Sequence, residues 1–177
     1  SGINVGLAGN MGKSFSECIL EHNYSHYVLE LSSFQLDDIK TFRPNMSILL
    51  NINRDHLDRY DNDIQKYIYS KLKIQTNQTE EDKFIYFSQD SHIAPHLSTI
   101  KAEKYSFGKT KIPSFQQGAW MKENKIIINT IKNNFTMTIH NLALQGTHNI
   151  YNSMAASIAA STLGIKNEII KKSLSDF

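Results

Sequence analysis

The sequence has little cysteine, little net charge and no long apolar run, and each absence narrows what the chain can be. Its single cysteine, Cys18, excludes an internal disulfide and fits a reducing compartment. A formal net charge of +2 without a basic run gives no reason to expect nucleic acid or a membrane surface as partner. No apolar segment approaches the roughly 18 residues that span a bilayer, and the first residues do not resemble a signal peptide. We therefore expect a cytoplasmic protein.

What is present is a chain of 177 residues with 40% hydrophobic and 20% charged residues, which is enough for one domain with a real core. The chain begins directly in a strand-like run at residues 3–7 and stops directly after a helical pattern. From this pattern we expect residues 1–177 to be a single domain cut from a longer protein.

Short apolar segments alternate with segments of helical periodicity along most of the chain. Strands are expected at residues 3–7, 28–31, 46–52 and 84–87, and helices at residues 15–20, 36–39 and 63–75. Because these strands are almost continuously apolar, the pattern predicts an α/β fold with a mostly parallel sheet and helices on both faces.

The sequence pattern changes in the second half of the chain. Residues 104–139 alternate in the manner of strands between Asn- and Lys-rich turns, which predicts a small antiparallel β meander within residues 104–145. A helix is expected to open at Gly146 and to end at Gly164, and Asn167 is expected to cap a last helix.

Glu30 interrupts a strand that the pattern predicts to be buried on both faces. Because an isolated buried carboxylate is strongly unfavourable, such a residue is normally paired or bound to a metal. An ion pair with Arg59 or Lys71 and metal binding are both open from the pattern alone.

Further polar residues follow the predicted strands, where ligands sit in doubly wound sheets. They are Asn10 after the first strand, Ser32, Ser33 and Gln35 after the second, and Asp55, His56, Asp58 and Arg59 after the third. On the next helix, Lys71 shares the stripe of Tyr67 and Ile68 that should be buried, although a single lysine often snorkels to solvent. Asn149 and Asn152 near the start of the late helix could equally be capping or surface residues.

A glycine-rich turn offers a competing interpretation. Residues 9–14, G-N-M-G-K-S, follow a strand and open a helix, as a phosphate-binding loop does, so that Lys13 could face an anion. The full pattern requires glycine at position 7, where Leu7 stands. A phosphate-loop kinase with Glu30 as its acidic metal ligand therefore remains an alternative.

Taken together, the segments A-G-N-M-G, V-L-E-L-S-S-F-Q-L, D-H-L-D-R-Y, Y-I-Y-S-K-L-K-I and G-T-H-N-I-Y-N-S-M-A-A closely resemble the central domain of the Mur ligases of peptidoglycan synthesis. The similarity runs over essentially the whole chain. The segment L-S-S-F-Q-L resembles the members of the family that add D-glutamate.

This resemblance implies an ATP-dependent amide ligase with two Mg²⁺ ions, whose substrates are UDP-N-acetylmuramoyl-L-alanine, D-glutamate and ATP. ATP would phosphorylate the substrate carboxylate, and the amine of D-glutamate would attack the acyl phosphate. Glu30 and His56 match metal ligands, and Lys71 matches a lysine that is carbamylated in the family.

The remaining matched positions concern the substrates. Asn149 and Asn152 match residues that contact adenine, whereas Asn10 and Gln35 match residues that touch the muramoyl substrate. Asp55, Asp58 and Arg59 are expected to orient the loop that carries His56.

The resemblance also implies that a phosphate loop of the form G-T-N-G-K-S/T, with its central strand and helix, lies outside this chain, together with an N-terminal and a C-terminal domain. The isolated chain is then expected to be inactive and to self-associate through open strand edges, whereas the full-length protein is expected to be monomeric. A non-catalytic binding module is the third alternative.

Overall fold

A computed structural model describes residues 3–55, 57–111 and 117–176. Its eight strands are β1 (Val5–Gly9), β2 (His26–Glu30), β3 (Met46–Leu49), β4 (Lys83–Phe87), β5 (Glu103–Gly108), β6 (Gly118–Lys122), β7 (Lys125–Asn129) and β8 (Asn134–Thr138). The α-helices are α1 (Phe15–Glu21), α2 (Ser33–Asp37), α3 (Ile64–Leu72), α4 (Thr147–Thr162) and α5 (Asn167–Ser175). Short 3₁₀ turns include Leu57–Tyr60 before α3 and Lys73–Gln75 after it. No helix among the described residues is long and apolar enough to cross a membrane.

The strands form two separate sheets. β1 and β2 make a two-stranded parallel sheet, and β3 to β8 make a six-stranded sheet in the order of the sequence. Pairing is parallel from β3 to β6 and antiparallel from β6 to β8. The α/β class with a mostly parallel sheet is thus confirmed, but the first three strands do not share one sheet as the pattern suggested.

The antiparallel part begins later than expected. β5 pairs in parallel with both β4 and β6, so only β6, β7 and β8 form the meander. The alternation of residues along β5 does not report the direction of its neighbours, because pairing is decided by segments far away in the sequence.

The six-stranded sheet is buried between two helical layers. One face carries Ile85, Phe107 and Ile126 against Met154 and Ile158 of α4. The other face carries Leu49, Phe84 and Tyr86 against the apolar side of α3, whose Tyr67 and Ile68 are fully buried as the 3.6-residue period predicts. Parallel strands need such cover on both faces.

The small sheet lacks that cover. α1 packs against one face of β1 and β2, where Gly6 and Ala8 are buried, but Leu7 and Val28 on the opposite face are 70% and 56% exposed. The expectation that the Glu30 strand is buried on both faces was therefore wrong. β2 is the edge of a two-stranded sheet with one open face, and an open face leaves its side chains in solvent.

Helix boundaries follow local chemistry in most places. Ser14 caps α1 by accepting a hydrogen bond from the Glu17 amide (3.2 Å). Gly164 follows α4 with a φ of +78°, a left-handed conformation that favours glycine. The prediction that Asn167 caps the last helix was wrong, because α5 begins at Asn167 itself and its N-cap residue is Lys166.

Candidate functional site

Asn10 and Glu30 meet at the carboxyl ends of β1 and β2. The Asn10 side-chain nitrogen donates to Glu30 Oε1 (3.4 Å), and the Asn10 backbone N–H donates to the Glu30 carbonyl oxygen (2.7 Å). The turn requires Gly9, whose φ is +128° and where an added Cβ would lie 2.1 Å from the Glu30 carbonyl oxygen. The sequence therefore places an amide donor against a carboxylate at this end of the small sheet.

Glu30 itself is exposed, which corrects the expectation of a buried carboxylate. Among the described residues, no ion pair joins Glu30 to Arg59 or to Lys71. The Arg59 guanidinium lies over the Phe34 ring instead, 4.5 Å from its centroid. The carboxylate thus faces solvent beside Asn10, where it is free to bind a ligand.

Ser32 and Gln35 form a capping box at the start of α2. Gln35 Oε1 accepts from the Ser32 amide (2.9 Å), while Ser32 Oγ accepts from the Gln35 amide (3.3 Å). This arrangement fixes the orientation of the Gln35 side chain, because its oxygen must face the Ser32 N–H. The exposed Gln35 amide therefore offers its NH₂ donors to a ligand.

An apolar cavity of about 250 Å³ adjoins this capping box. Gln35 contributes to its wall, and its other lining residues are Gly9, Ser14, Phe15, Leu29, Leu31, Ile39 and Phe42. Apolar walls with a few convergent polar groups are typical of small-molecule sites.

Lys71 lies on α3 with its side chain only partly accessible. Burial lowers its pKa, and the nearby carboxylates of Asp55 and Glu30 oppose that shift without cancelling it. Its ammonium group is 5.5 Å from the centroid of the Tyr67 ring. The prediction of a shielded lysine on the inner stripe agrees with this position, whereas Lys66 on the outer face is exposed and pairs with Asp61.

The loop after β3 carries Asp55 and is fixed by a residue that the sequence reasoning missed. Asp90 Oδ2 accepts from the Ile52 amide (2.6 Å), and Asp90 Oδ1 accepts from the His92 amide (2.8 Å). Asp90 thus ties the loop after β3 to the loop after β4. Its position in the turn Q-D-S was the available signal, since aspartate favours such backbone-binding turns.

The described donors suit a hard cation, although they do not amount to a complete metal site. Glu30 and Asp55 carry carboxylates whose charge acts on Lys71, and oxygen ligands are what Mg²⁺ takes. Among residues 3–55, 57–111 and 117–176, no group of three His, Cys, Asp or Glu residues is close enough to hold a metal. His56, the other predicted ligand, lies outside the described residues.

Asn149 and Asn152 lie in the first turns of α4, on the six-stranded sheet. The Asn149 side-chain nitrogen donates to the Gln145 carbonyl oxygen (2.8 Å), which leaves its amide oxygen as the acceptor. Asn152 is exposed. α4 packs against strands of the large sheet, so the structure does not bring these two asparagines into contact with Glu30.

Lys13, the lysine of the alternative phosphate loop, forms an ion pair with Glu21 near the end of α1. The pairing raises the pKa of Lys13 through its hydrogen bond to that carboxylate. The lysine is therefore held along its own helix by a carboxylate. This geometry does not favour the kinase interpretation.

Comparison with known proteins tests the family resemblance. A sequence model described as the Mur ligase middle domain matches residues 12–160. The chain belongs to the Mur ligase family. It is 45% identical to a UDP-N-acetylmuramoylalanine–D-glutamate ligase from Bacteroides fragilis and 43% identical to the protein of the same name from Christiangramia forsetii.

These alignments cover nearly all of this Mur ligase chain, 100% and 99% respectively, but only 40% of each relative. The chain thus spans less than half the length of the curated relatives that it matches. The predicted resemblance to the family is confirmed.

Solved Mur ligases share the fold. The MurF ligase from Thermotoga maritima in complex with ADP matches with a TM-score of 0.68 at 19% identity, covering 99% of this chain and 42% of that one. MurF from Acinetobacter baumannii matches with a TM-score of 0.64 at 19% identity, covering 97% and 45%. At such identities the likeness concerns the fold alone.

Proposed function

We propose that this chain is the middle part of an ATP-dependent ligase that joins D-glutamate to UDP-N-acetylmuramoyl-L-alanine. The observation that carries the proposal is the contact of Asn10 with Glu30 beside the Gln35 capping box and its apolar cavity. Lys71, which lies against the Tyr67 ring and whose pKa is lowered by burial, supports it. The 45% identity to a D-glutamate ligase supports the choice of substrates.

The lowered pKa of Lys71 suits carbamylation. Only a neutral amine attacks CO₂, forming an N–C bond and releasing a proton, and burial favours the neutral amine. The product is an anion, which would add oxygen donors to those of Glu30 and Asp55. When bound there, Mg²⁺ supplies positive charge that offsets the crowded phosphate and carboxylate oxygens.

The residues at the ends of β1 and β2 are proposed to hold the muramoyl substrate. Gln35 presents NH₂ donors next to the apolar cavity, and Asn10 presents a second amide beside Glu30. Both asparagines of α4, Asn149 and Asn152, are proposed to contact adenine, with the Asn149 oxygen accepting from the exocyclic amine.

The reaction then consists of two transfers. The carboxylate of UDP-N-acetylmuramoyl-L-alanine takes the γ-phosphoryl group of ATP, which releases ADP and gives an acyl phosphate. The amine of D-glutamate attacks the acyl carbon, phosphate leaves, and the amine loses a proton as the amide forms. Phosphorylation is needed because a free carboxylate is a poor acyl donor.

We propose that the phosphate loop and the flanking domains belong to parts of the protein outside these residues, and that the protein is a cytoplasmic monomer when whole. Among the described strands, β2 pairs only with β1 and β3 only with β4, which supports a strand from outside these residues between them. A buried lone cysteine supports the location.

The test is ADP release by the full-length protein. We expect release that requires both UDP-N-acetylmuramoyl-L-alanine and D-glutamate, that L-glutamate does not support, and that survives Lys13→Ala. ADP release without D-glutamate, or loss of several orders of magnitude in Lys13→Ala, would favour the kinase alternative. Absence of any D-glutamate-dependent release would favour a binding module.

A further inference from the structure

Glu30 and Lys71 belong to parts of the molecule that no strand pairing joins among the described residues. Glu30 ends β2 in the small sheet, whereas Lys71 lies on α3, which packs against the large sheet. α2 follows β2 directly and packs on α3. The position of Glu30 relative to Lys71 therefore depends on the contact between these two helices.

A chain of buried hydroxyl groups crosses that contact. Ser70 Oγ of α3 donates to the Ser33 carbonyl oxygen of α2 (2.8 Å). The Tyr60 hydroxyl donates to Asp37 Oδ2 (2.9 Å), and its oxygen lies 3.1 Å from Ser70 Oγ. Ser33, Ser70 and Tyr60 are 3%, 1% and 7% exposed. Together with Asp37, these residues are called the hydroxyl chain.

In the hydroxyl chain, the hydroxyl protons of Ser70 and Tyr60 both have acceptors. Ser70 and Tyr60 each carry one hydroxyl proton. Ser70 donates its proton to the Ser33 carbonyl, and Tyr60 donates its proton to the Asp37 carboxylate. Lys73 adds bonds to the Asp37 carbonyl (3.0 Å) and carboxylate (3.1 Å). Removing the Ser70 hydroxyl would leave the carbonyl oxygen of the buried Ser33 short of a donor, which costs more than the bond itself contributes. Removing the Tyr60 hydroxyl would take one donor from Asp37, which is exposed and keeps its bond from Lys73.

We propose that Ser70 and Tyr60 are positioning residues that set the place of Glu30 relative to Lys71 by holding α2 against α3. The inference rests on the proposed function, in which Glu30 and Lys71 serve one metal site. Ser70 directly precedes Lys71 and Ser33 follows Glu30 by three residues. A shift of α2 against α3 at this contact therefore moves Glu30 relative to Lys71.

Ring packing makes Tyr60→Phe a clean probe. The Tyr60 ring stacks on Phe34 with centroids 6.1 Å apart and meets the Tyr67 ring edge-on at 5.4 Å. Phenylalanine keeps both ring contacts and removes only the hydroxyl group. Tyr69→Phe is the matched control, because Tyr69 lies on α3 with its side chain 59% exposed.

The experiment uses the full-length protein with Tyr60→Phe, Ser70→Ala and the double variant. Mn²⁺ binding is measured by electron paramagnetic resonance with a non-hydrolysable ATP analogue, beside kcat and KM for ATP. We expect Mn²⁺ affinity to fall by about 10-fold in each single variant, as for supporting groups of metal ligands. Because both hydroxyls are neighbours at the same contact between α2 and α3, the double variant should lose less than the product of the single losses. KM for ATP should stay unchanged in these variants, and the Tyr69→Phe control should bind Mn²⁺ as the unmodified protein does.

Unaltered Mn²⁺ affinity in folded Tyr60→Phe and Ser70→Ala would overturn the inference, and so would an equal loss in Tyr69→Phe. If Ser70→Ala fails to fold, Tyr60→Phe decides alone. The proposed function fails separately, when the unmodified protein shows no D-glutamate-dependent ADP release whatever the variants do to Mn²⁺ binding.

Discussion

At the scale of single residues, the two ends of the Gln35 side-chain amide have different roles, one structural and one in binding. Its oxygen accepts from the Ser32 amide at the N-terminus of α2, and its NH₂ group remains for a ligand. The sequence motif S-S-F-Q-L marked this residue, but only the capping box shows which end of the amide is available.

Gln35→Glu should therefore preserve helix α2 and weaken the binding of the substrate. A glutamate at this position keeps the capping oxygen and suits the positive end of the helix, so the unfolding midpoint should not fall. The variant lacks the NH₂ donors, and we expect KM for UDP-N-acetylmuramoyl-L-alanine to rise by about 10-fold or more in the full-length enzyme. Gln65→Glu, on the first turn of α3, is the control. An unchanged KM in Gln35→Glu would remove Gln35 from the substrate site.

Other single residues show where sequence reasoning reached its limit. Lys71 was found because a 3.6-residue period places it beside Tyr67 and Ile68 within one helix. The exposure of Glu30 was missed because it depends on which strands and helices cover β2, and that is decided by distant segments. Tyr60 and Asp90 each bind a group that is distant in the sequence, the Asp37 carboxylate and the Ile52 amide, and local pattern gave neither of these partners.

At the scale of elements, the start of β4 is fixed by one buried carboxylate. Asp82 is 2% exposed and accepts from Arg43 Nε (2.6 Å) and from the Thr79 amide (2.8 Å). Burial alone would raise the pKa of Asp82, but the hydrogen bonds from Arg43 and Thr79 outweigh it and hold the pKa below its usual value. The segment before β3 is thereby tied to the turn before β4.

Asp82→Asn should destabilise the fold by about 2 kcal/mol at neutral pH, since it removes charge-assisted hydrogen bonds. Because the folded pKa is lowered, the stabilisation is present above the unfolded value and is lost as pH falls through the folded pKa, below about 4. Urea unfolding of the two proteins across this range measures the difference. Asp61→Asn, in an exposed pair with Lys66, is the control and should change little. A pH-independent difference for Asp82→Asn would contradict this assignment.

The element boundaries that sequence predicted well are those with local causes. The start of α4 at a glycine and its end before Gly164 follow from the conformational preference of glycine, which the sequence itself shows. The parallel pairing of β5 has no such local sign, because its partners β4 and β6 are chosen by the packing of the whole sheet.

At the scale of the whole molecule, the open feature is the gap in strand pairing between the two sheets. β2 pairs only with β1 and β3 only with β4 among the described strands, and Leu7 and Val28 leave an apolar face beside the β2 edge. Unpaired edges with apolar neighbours tend to join other chains. In the full-length protein a strand from outside this chain is proposed to lie there.

The isolated chain should therefore self-associate as its concentration rises, as measured by sedimentation velocity. Val28→Lys and Leu7→Lys place charges on the open face and should shift the protein toward monomer. Ile131→Lys, at a side chain that is 78% exposed in a turn of the large sheet, is the control and should not. A chain that stays monomeric, or an equal effect of Ile131→Lys, would show that the gap is not the site of association.

The central proposal is that Lys71, through its carbamate, completes an active site with Glu30. The most direct measurement is D-glutamate-dependent ADP release by full-length Lys71→Ala, with and without added short carboxylates such as formate or acetate. We predict near-complete loss of activity and partial recovery with the added carboxylate, which replaces the missing anion, whereas Lys66→Ala on the same helix stays active and does not respond. Full activity of Lys71→Ala without added carboxylate would contradict the proposal.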